Sequence, residues 1–340
     1  MNPVGQSAEP GAPGLSPTVM ERLRGEYGAE AVELQCQALR RHGAVVDDPA
    51  LWLGAALEGQ FKFMPIEAVT ACPCGSTASV LLSRFVFWNL LGLRQCSACG
   101  LLFVSPRLTA QAMTQHFEEH YHDPAHPEHW GQRRLPIFRD VLRILRQLEV
   151  RRVFDVGAAY GHFLHFLDLH GLMAEGCDVA GATVQWGRDH LGVRILHGNL
   201  GNLGLDPGAY DAVVSLDTLY YVTDPLDELE RMRHLVRPGG HVVLRLRNGL
   251  WTLRKARREG AKPIGRAVLP SEHLWAWTPA TLGVLLPKVG LELRWVEPAA
   301  YSATMGAAFW AMLVGLNRSL LQLGVPILTQ SFTAIARRNA

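Results

Sequence analysis

From residue 152 to residue 246 the chain alternates short, largely apolar runs with helix-forming segments. The runs cover residues 153–156, 176–179, 193–197, 210–216 and 241–246, with helices expected over 162–170, 185–190 and 226–235. A strand that reads as continuously apolar is buried on both faces, and crossover helices on both faces imply a parallel sheet. Two later runs, 291–296 and 332–336, would bring that sheet to seven strands. The four residues Arg237-Pro238-Gly239-Gly240 are expected as a turn.

The first run ends at Asp155, and Gly157, Ala159 and Gly161 then line the turn into a helix. Small residues there let backbone N–H groups and a helix N-terminus approach an anionic ligand group. The ligand is expected outside the carboxyl ends of the strands, near the switch point of the sheet. A second acid, Asp178, ends the second run, where a carboxylate can accept from both hydroxyls of a ribose. A dinucleotide site would want Gly-x-Gly-x-x-Gly. Here Ala159 takes the middle position and Gly161 follows two residues later, which leaves poor room for a pyrophosphate.

With those residues in hand, 152–248 resembles the core of the class I S-adenosylmethionine-dependent methyltransferases. The runs that carry the resemblance are 154–161, 176–179, 210–217, 222–226 and 235–240. It implies an α/β, Rossmann-like seven-stranded sheet with helices on both faces. It also implies that Gly157, Ala159 and Gly161 cradle the methionine end, that Asp155 assists there and that Asp178 holds the ribose. Adenine would lie near Asn199 and Leu200, with Leu216 also against the cofactor. The family usually has an acid where Asn199 stands. The implied reaction is methyl transfer to a small molecule, such as a sugar nucleotide or a secondary metabolite. Two rival readings are a non-catalytic binding protein of the same fold and a nicotinamide-dependent oxidoreductase.

Four of the six cysteines form two close pairs, Cys72-Pro73-Cys74 and Cys96-x-x-Cys99-Gly100. With no export signal expected, close pairs are better metal ligands than disulfide partners. Two thiolate pairs can supply a closed, structural zinc site. The first pair is one residue short of the usual spacing, so its loop must be tighter. The run from Cys96 to Arg107 resembles the zinc ribbon that precedes the catalytic domain in one methyltransferase subgroup. The expected organisation is a disordered tail over 1–17, helices over 18–65 and the ribbon-like module over 66–108. A helical linker over 109–150 and the methyltransferase domain over 151–340 follow, with a substrate lid at 251–285.

An oxygen or carbon acceptor would need a proton removed, and the candidates follow the fourth and fifth strands: Asp217, Tyr220, Tyr221 and His273. His273 is the preferred base, with a structural role as the alternative. Trp251, Trp275 and Trp277 are expected to furnish the lid. A basic run, Arg254 to Arg266, would contact a phosphorylated or carrier-bound substrate, or be a solvated face. Five histidines between 116 and 129 include a His116-x-x-Glu119-His120 pattern, read as a solvated or substrate-facing segment rather than a catalytic metal site.

Of the 340 residues 48% are hydrophobic, and the net charge is only +2, so bulk electrostatics call for no nucleic-acid partner. The apolar stretch at 303–317 is interrupted by Arg318 and is expected as a buried helix or substrate wall, not a membrane span. A cytoplasmic setting is expected, and the oligomeric state is left open.

Overall fold

The computed structural model describes residues 21, 29, 66–86, 91–105, 107–120, 127–260, 269, 272–299, 307–321, 327 and 329–339. The expectations for 1–17 and for nearly all of 18–65, and those for His122, His126, Lys262 and Arg266, lie outside these residues.

Seven strands form the main sheet: β6 (Arg152–Val156), β7 (Met173–Asp178), β8 (Arg194–His197), β9 (Tyr210–Leu216), β10 (Val236–Arg247), β12 (Leu291–Pro298) and β13 (Ser331–Arg338). Their order is β12-β13-β10-β9-β6-β7-β8. Pairings from β10 to β8 are parallel, and β13 runs antiparallel to both β10 and β12. The chain steps from β6 outward through β7 and β8, then returns to the other side of β6 with β9. That reversal opens a crevice at the carboxyl ends of β6 and β9.

Alternation along each strand divides the core into two layers. On one face Val153, Val214 and Val243 meet Phe138 and Val141 of α2 (Pro127–Gln147) and Leu164 of α3 (His162–Leu169). The same layer takes Val184 of α4 (Gly181–Leu191). On the other face Phe154, Val213 and Leu244 meet Leu229 and Met232 of α5 (Pro225–Leu235) and Leu282 of α7 (Pro279–Leu285). The helical linker expected over 109–150 holds two helices, α1 (Ala110–His120) and α2.

The Arg-Pro-Gly-Gly segment is not a free turn. It is a wide bulge at the start of β10, where Val236 pairs with Tyr210 and the next pair is His241 with Ala212. Asp211 faces the bulge and accepts from Arg237 Nε at 2.7 Å and from the backbone N–H groups of Arg151 and Arg152. A Cβ at Gly240 would lie 2.6 Å from the Asp211 carbonyl, so that position requires glycine.

The cysteine-containing part is built on β1 (Ile66–Glu67), β2 (Ser79–Val86), β3 (Leu91–Cys96), β4 (Leu102–Val104) and β5 (Arg107–Leu108). Its main sheet has the order β11-β4-β3-β2, and β11 (Trp275–Ala276) comes from the segment expected to be the lid. Trp275 pairs with Phe103 and Ala276 with Leu102. Trp275 and Trp277 are therefore core residues, 2% and 0% exposed, and not a substrate lid. In α6 (Gly249–Gly260), Leu253 and Ala256 pack with Leu93 and Leu102 of this sheet. Arg254, Lys255, Arg257 and Arg258 are all exposed.

The apolar run near residue 310 forms α8 (Ala307–Leu321). It is not a buried helix: Met312 and Leu316 are exposed, while Val314 and Asn317 are buried. Among the described residues no helix is long and apolar enough to cross a membrane.

Candidate functional site

The crevice at the switch point deepens into a cavity of about 360 Å³. The β6 loop forms its floor, with Val156 and Gly157 lining it. The N–H groups of this loop do not face a ligand but are engaged internally. Gly157 and Ala158 both donate to the Cys177 carbonyl at 2.9 Å, Ala159 donates to Asp178 Oδ2 at 2.8 Å, and Gly161 donates to Ala158. The loop therefore offers close approach and shape. A Cβ on Gly157 would fall 2.2 Å from Thr218 Oγ1, and its φ of 80° also favours glycine. Ala159 adopts φ 51°, a left-handed conformation that its bond to Asp178 helps to hold. Gly161 packs on Val193 and, like Ala159, does not line the cavity.

Asp178 does line the cavity and is 9% exposed. One carboxylate oxygen accepts from Ala159 and the other from Ala180, leaving a further lone pair on each. Burial raises its pKa although these N–H donors work against it. Asp155 lies beneath the loop, 2% exposed, and its Oδ1 has no hydrogen-bond partner among the described residues. Burial pushes it up to about 7, against the pull of Arg134 and with the help of Asp178. Beyond Asp178, Gly198, Asn199 and Gly201 close one pole of the cavity, while Leu200 packs against the core and does not line it.

The opposite pole is aromatic. Phe117 and Met113 of α1 and Trp130 of α2 line it together with Leu216, Tyr220 and Tyr221. The Phe117 and Tyr221 rings meet edge to face at 4.9 Å. Asp217, a sequence candidate for the base, is clamped between Arg134 (2.8 Å) and Arg245. Burial opposes its ionisation, but the two guanidiniums prevail and hold it below the usual carboxylate range. Clamped in this way, Asp217 is a poor proton acceptor. Removing it would take from Arg245, with a side chain only 6% exposed, the carboxylate it pairs with.

His273 does not line the cavity. It is 5% exposed, its ring lies on that of Tyr220 with centroids 4.0 Å apart, and its Nδ1 has no partner among the described residues. Burial and Arg247 depress its pKa to about 3, so the ring is neutral near neutral pH. Tyr220 is held protonated, because burial and the nearby Asp217 push its pKa well above 10.

The four cysteines converge. Cys72 Sγ lies 3.6 Å from Cys99 Sγ and Cys74 Sγ lies 3.6 Å from Cys96 Sγ, with all four within 4.8 Å of one another. A tetrahedral zinc with Zn–S bonds of about 2.3 Å would hold its sulfurs about 3.8 Å apart, so the set fits. The shortened first loop closes through a Gly75 N–H to Cys72 carbonyl bond of 2.7 Å, and the second through Gly100 N–H to Cys96 carbonyl at 3.0 Å. Burial disfavours the Cys96 thiolate, but N–H groups of Cys99 and Ala98 outweigh it and bring the thiol down to about 6. Among the described residues no other His, Cys, Asp and Glu group is gathered this way. His116 instead pairs with Glu272 at 3.0 Å.

Phe117, Trp130 and Arg134 were not among the sequence candidates. Their helices read as a linker, and only the tertiary fold brings them over the sheet.

Comparison with known proteins agrees with this geometry. Residues 129–295 match the family described as "Methyltransferase domain". The ubiquinone biosynthesis O-methyltransferase of Alkalilimnicola ehrlichii is 32% identical over 109 residues, covering 30% of this chain and 44% of that protein. The protein of the same name from Vibrio cholerae is 27% identical over 141 residues, 36% and 58% of the two chains. The chain thus spans about half the length of the curated relatives it matches. A solved S-adenosylmethionine-dependent methyltransferase of Thermotoga maritima aligns over 67% of this chain and 100% of its own, with 17% identity and a TM-score of 0.46. Residues 129–295 of this chain thus carry a methyltransferase domain.

Proposed function

We propose that this protein transfers the methyl group of S-adenosylmethionine to an oxygen of a small, planar acceptor. The observation that carries the reading is the cavity itself. It joins a ribose-type carboxylate, Asp178, and a glycine-floored loop at one end to an aromatic wall at the other. The residues present fit the donor: Asp178 would hold the ribose, Gly157 would allow close approach, and Asp155 would support the methionine end. S-adenosylmethionine supplies an already activated methyl group, so the protein's task is mainly alignment of an in-line displacement.

The acceptor pole orients more than it deprotonates. Tyr220 is a hydrogen-bond donor, Asp217 is clamped, and His273 acts on Tyr220 as a positioning residue. Such a pole suits an acceptor whose own hydroxyl ionises readily, a phenol, held against Phe117, Tyr221 and Trp130. The names of the relatives, O-methyltransferases, point the same way. A sugar nucleotide is less well served. Both guanidiniums lining the cavity are engaged, Arg134 with Asp217 and Arg231 with Asp227. The four thiolates would hold a structural zinc, closed to substrate.

Calorimetry with S-adenosylhomocysteine and with NADH tests the donor. Binding of the first alone is expected, and a preference for NADH overturns the reading. Turnover is then assayed on a panel of phenols and catechols; tight donor binding with no methylation of any of them would favour a non-catalytic binding protein.

A further inference from the structure

Five carboxylates line the cavity: Asp178, Asp217, Asp224, Asp227 and Glu228. Four of them are already satisfied by the protein. Asp178 accepts from Ala159 and Ala180, and Asp217 is held by Arg134 and Arg245. Asp224 caps α5, accepting from the N–H groups of Leu226 and Asp227. Asp227 takes Arg231 Nε at 2.8 Å. Glu228 stands apart: among the described residues its half-buried carboxylate has no hydrogen-bond donor and no ion pair, and the cation nearest to it in the helix is the one Asp227 holds.

Its place in the cavity is also defined. Glu228 is in the first turn of α5, close enough to Cys177, the residue before Asp178, to disfavour that thiolate. Arg231, one turn further on, lies beside Gly201. This wall of the cavity is shared with Asp178, Asn199 and Gly201. Asn199 stands where an acid would be expected to receive the adenine amino group. Its Oδ1 instead accepts the Gly201 N–H at 2.8 Å, and its own N–H donates to Asn202. It is occupied with shaping its loop.

We infer that Glu228 is the acceptor for the exocyclic amino group of the cofactor's adenine, replacing from α5 the acid missing at position 199. This rests on the methyl-donor reading given above. A half-buried carboxylate in a cavity wall that water alone satisfies can exchange that water for a ligand N–H donor. The same carboxylate opposes a base that presents a carbonyl oxygen at that position, so Glu228 would select adenine over hypoxanthine. Burial, with Asp227 adding to it, pushes the Glu228 pKa up to about 7, in keeping with a group that lacks a donor of its own.

The test compares the affinities of S-adenosylhomocysteine and S-inosylhomocysteine by calorimetry. The ratio is the readout, because Asp155 and Asp178 act on parts common to both ligands. The wild-type protein should prefer the adenosyl ligand by about tenfold or more, as expected for loss of a hydrogen bond to a charged group. Glu228→Gln, whose amide can turn to either base, should bring the ratio close to one, and Asn199→Ala should keep it. Glu228→Ala serves the same purpose if the glutamine variant does not fold. An undiminished preference in the Glu228 variants overturns the inference while leaving the methyl-donor reading intact. Failure of the wild-type protein to bind either ligand overturns both.

Discussion

The indole N–H of Trp275 donates to the backbone carbonyl of Val222 at 2.6 Å. Trp275 belongs to the sheet that carries the cysteines, whereas Val222 lines the cavity. One residue earlier, Leu274 donates to the Tyr220 carbonyl at 2.8 Å and its own carbonyl accepts from Val104 at 2.9 Å. The ribbon sheet and the acceptor pole are thus joined by consecutive backbone positions. Trp275→Phe would keep an aromatic ring but leave the Val222 carbonyl unpaired, at a cost of about 1–3 kcal/mol, with a further loss from the smaller ring. The expected result is a raised KM for the methyl acceptor with unchanged affinity for S-adenosylhomocysteine. Equal losses for both ligands would show that the bond does not act locally.

The cysteine cluster predicts about one equivalent of zinc by elemental analysis. The double variant Cys96→Ser, Cys99→Ser should lose it and melt at a lower temperature. Chelation of the wild-type protein should lower its melting temperature in the same way. A metal-free wild-type protein with unchanged stability on added zinc would contradict the assignment.

Asp155 makes a prediction about pH. Its folded-state pKa, about 7, lies above the ordinary 3.8, so the folded protein binds the extra proton. The stability linked to this group is fully present below pH 3.8 and is lost as pH rises through about 7. Asp155→Asn should remove that loss, making the ligand-free protein more stable at pH 8 relative to pH 5 than the wild type is. Donor binding should weaken in the same variant. Denaturant titrations at the two pH values check the first, and calorimetry the second.

His273 should contribute no limb to the pH dependence of turnover near its ordinary pKa. Burial holds the ring neutral down to about pH 3. His273→Phe, which keeps a flat ring against Tyr220, should retain most of kcat. A pH limb between 6 and 7 that disappears in this variant would restore His273 as the base.

The seven-stranded sheet was legible because its strands are apolar on both faces and its helices separate them regularly. Asp155, Gly157 and Asp178 could be found because they follow strand ends, where such folds keep their ligands. Other parts were hidden by distance. The clamp on Asp217 comes from residues 83 positions before it and 28 after it. Phe117 and Trp130 are ordinary aromatic residues on amphipathic helices until the fold sets them over the crevice. The two-residue strand Trp275–Ala276 has no periodicity to read, so its tryptophans looked like lid residues. Glu228 carried no signal at all, since a glutamate in a first helical turn is commonplace.

The pairing of β11 with β4 has a consequence for any chain shortened to begin after residue 108. The edge of β11 would be left with unpaired backbone groups, and the buried faces of Trp275 and Ala276 would meet water. An uncovered edge strand flanked by large apolar side chains is a template for self-association. The residues that gather the cysteines thus also act as a cover, shielding the rest of the fold from its own copies.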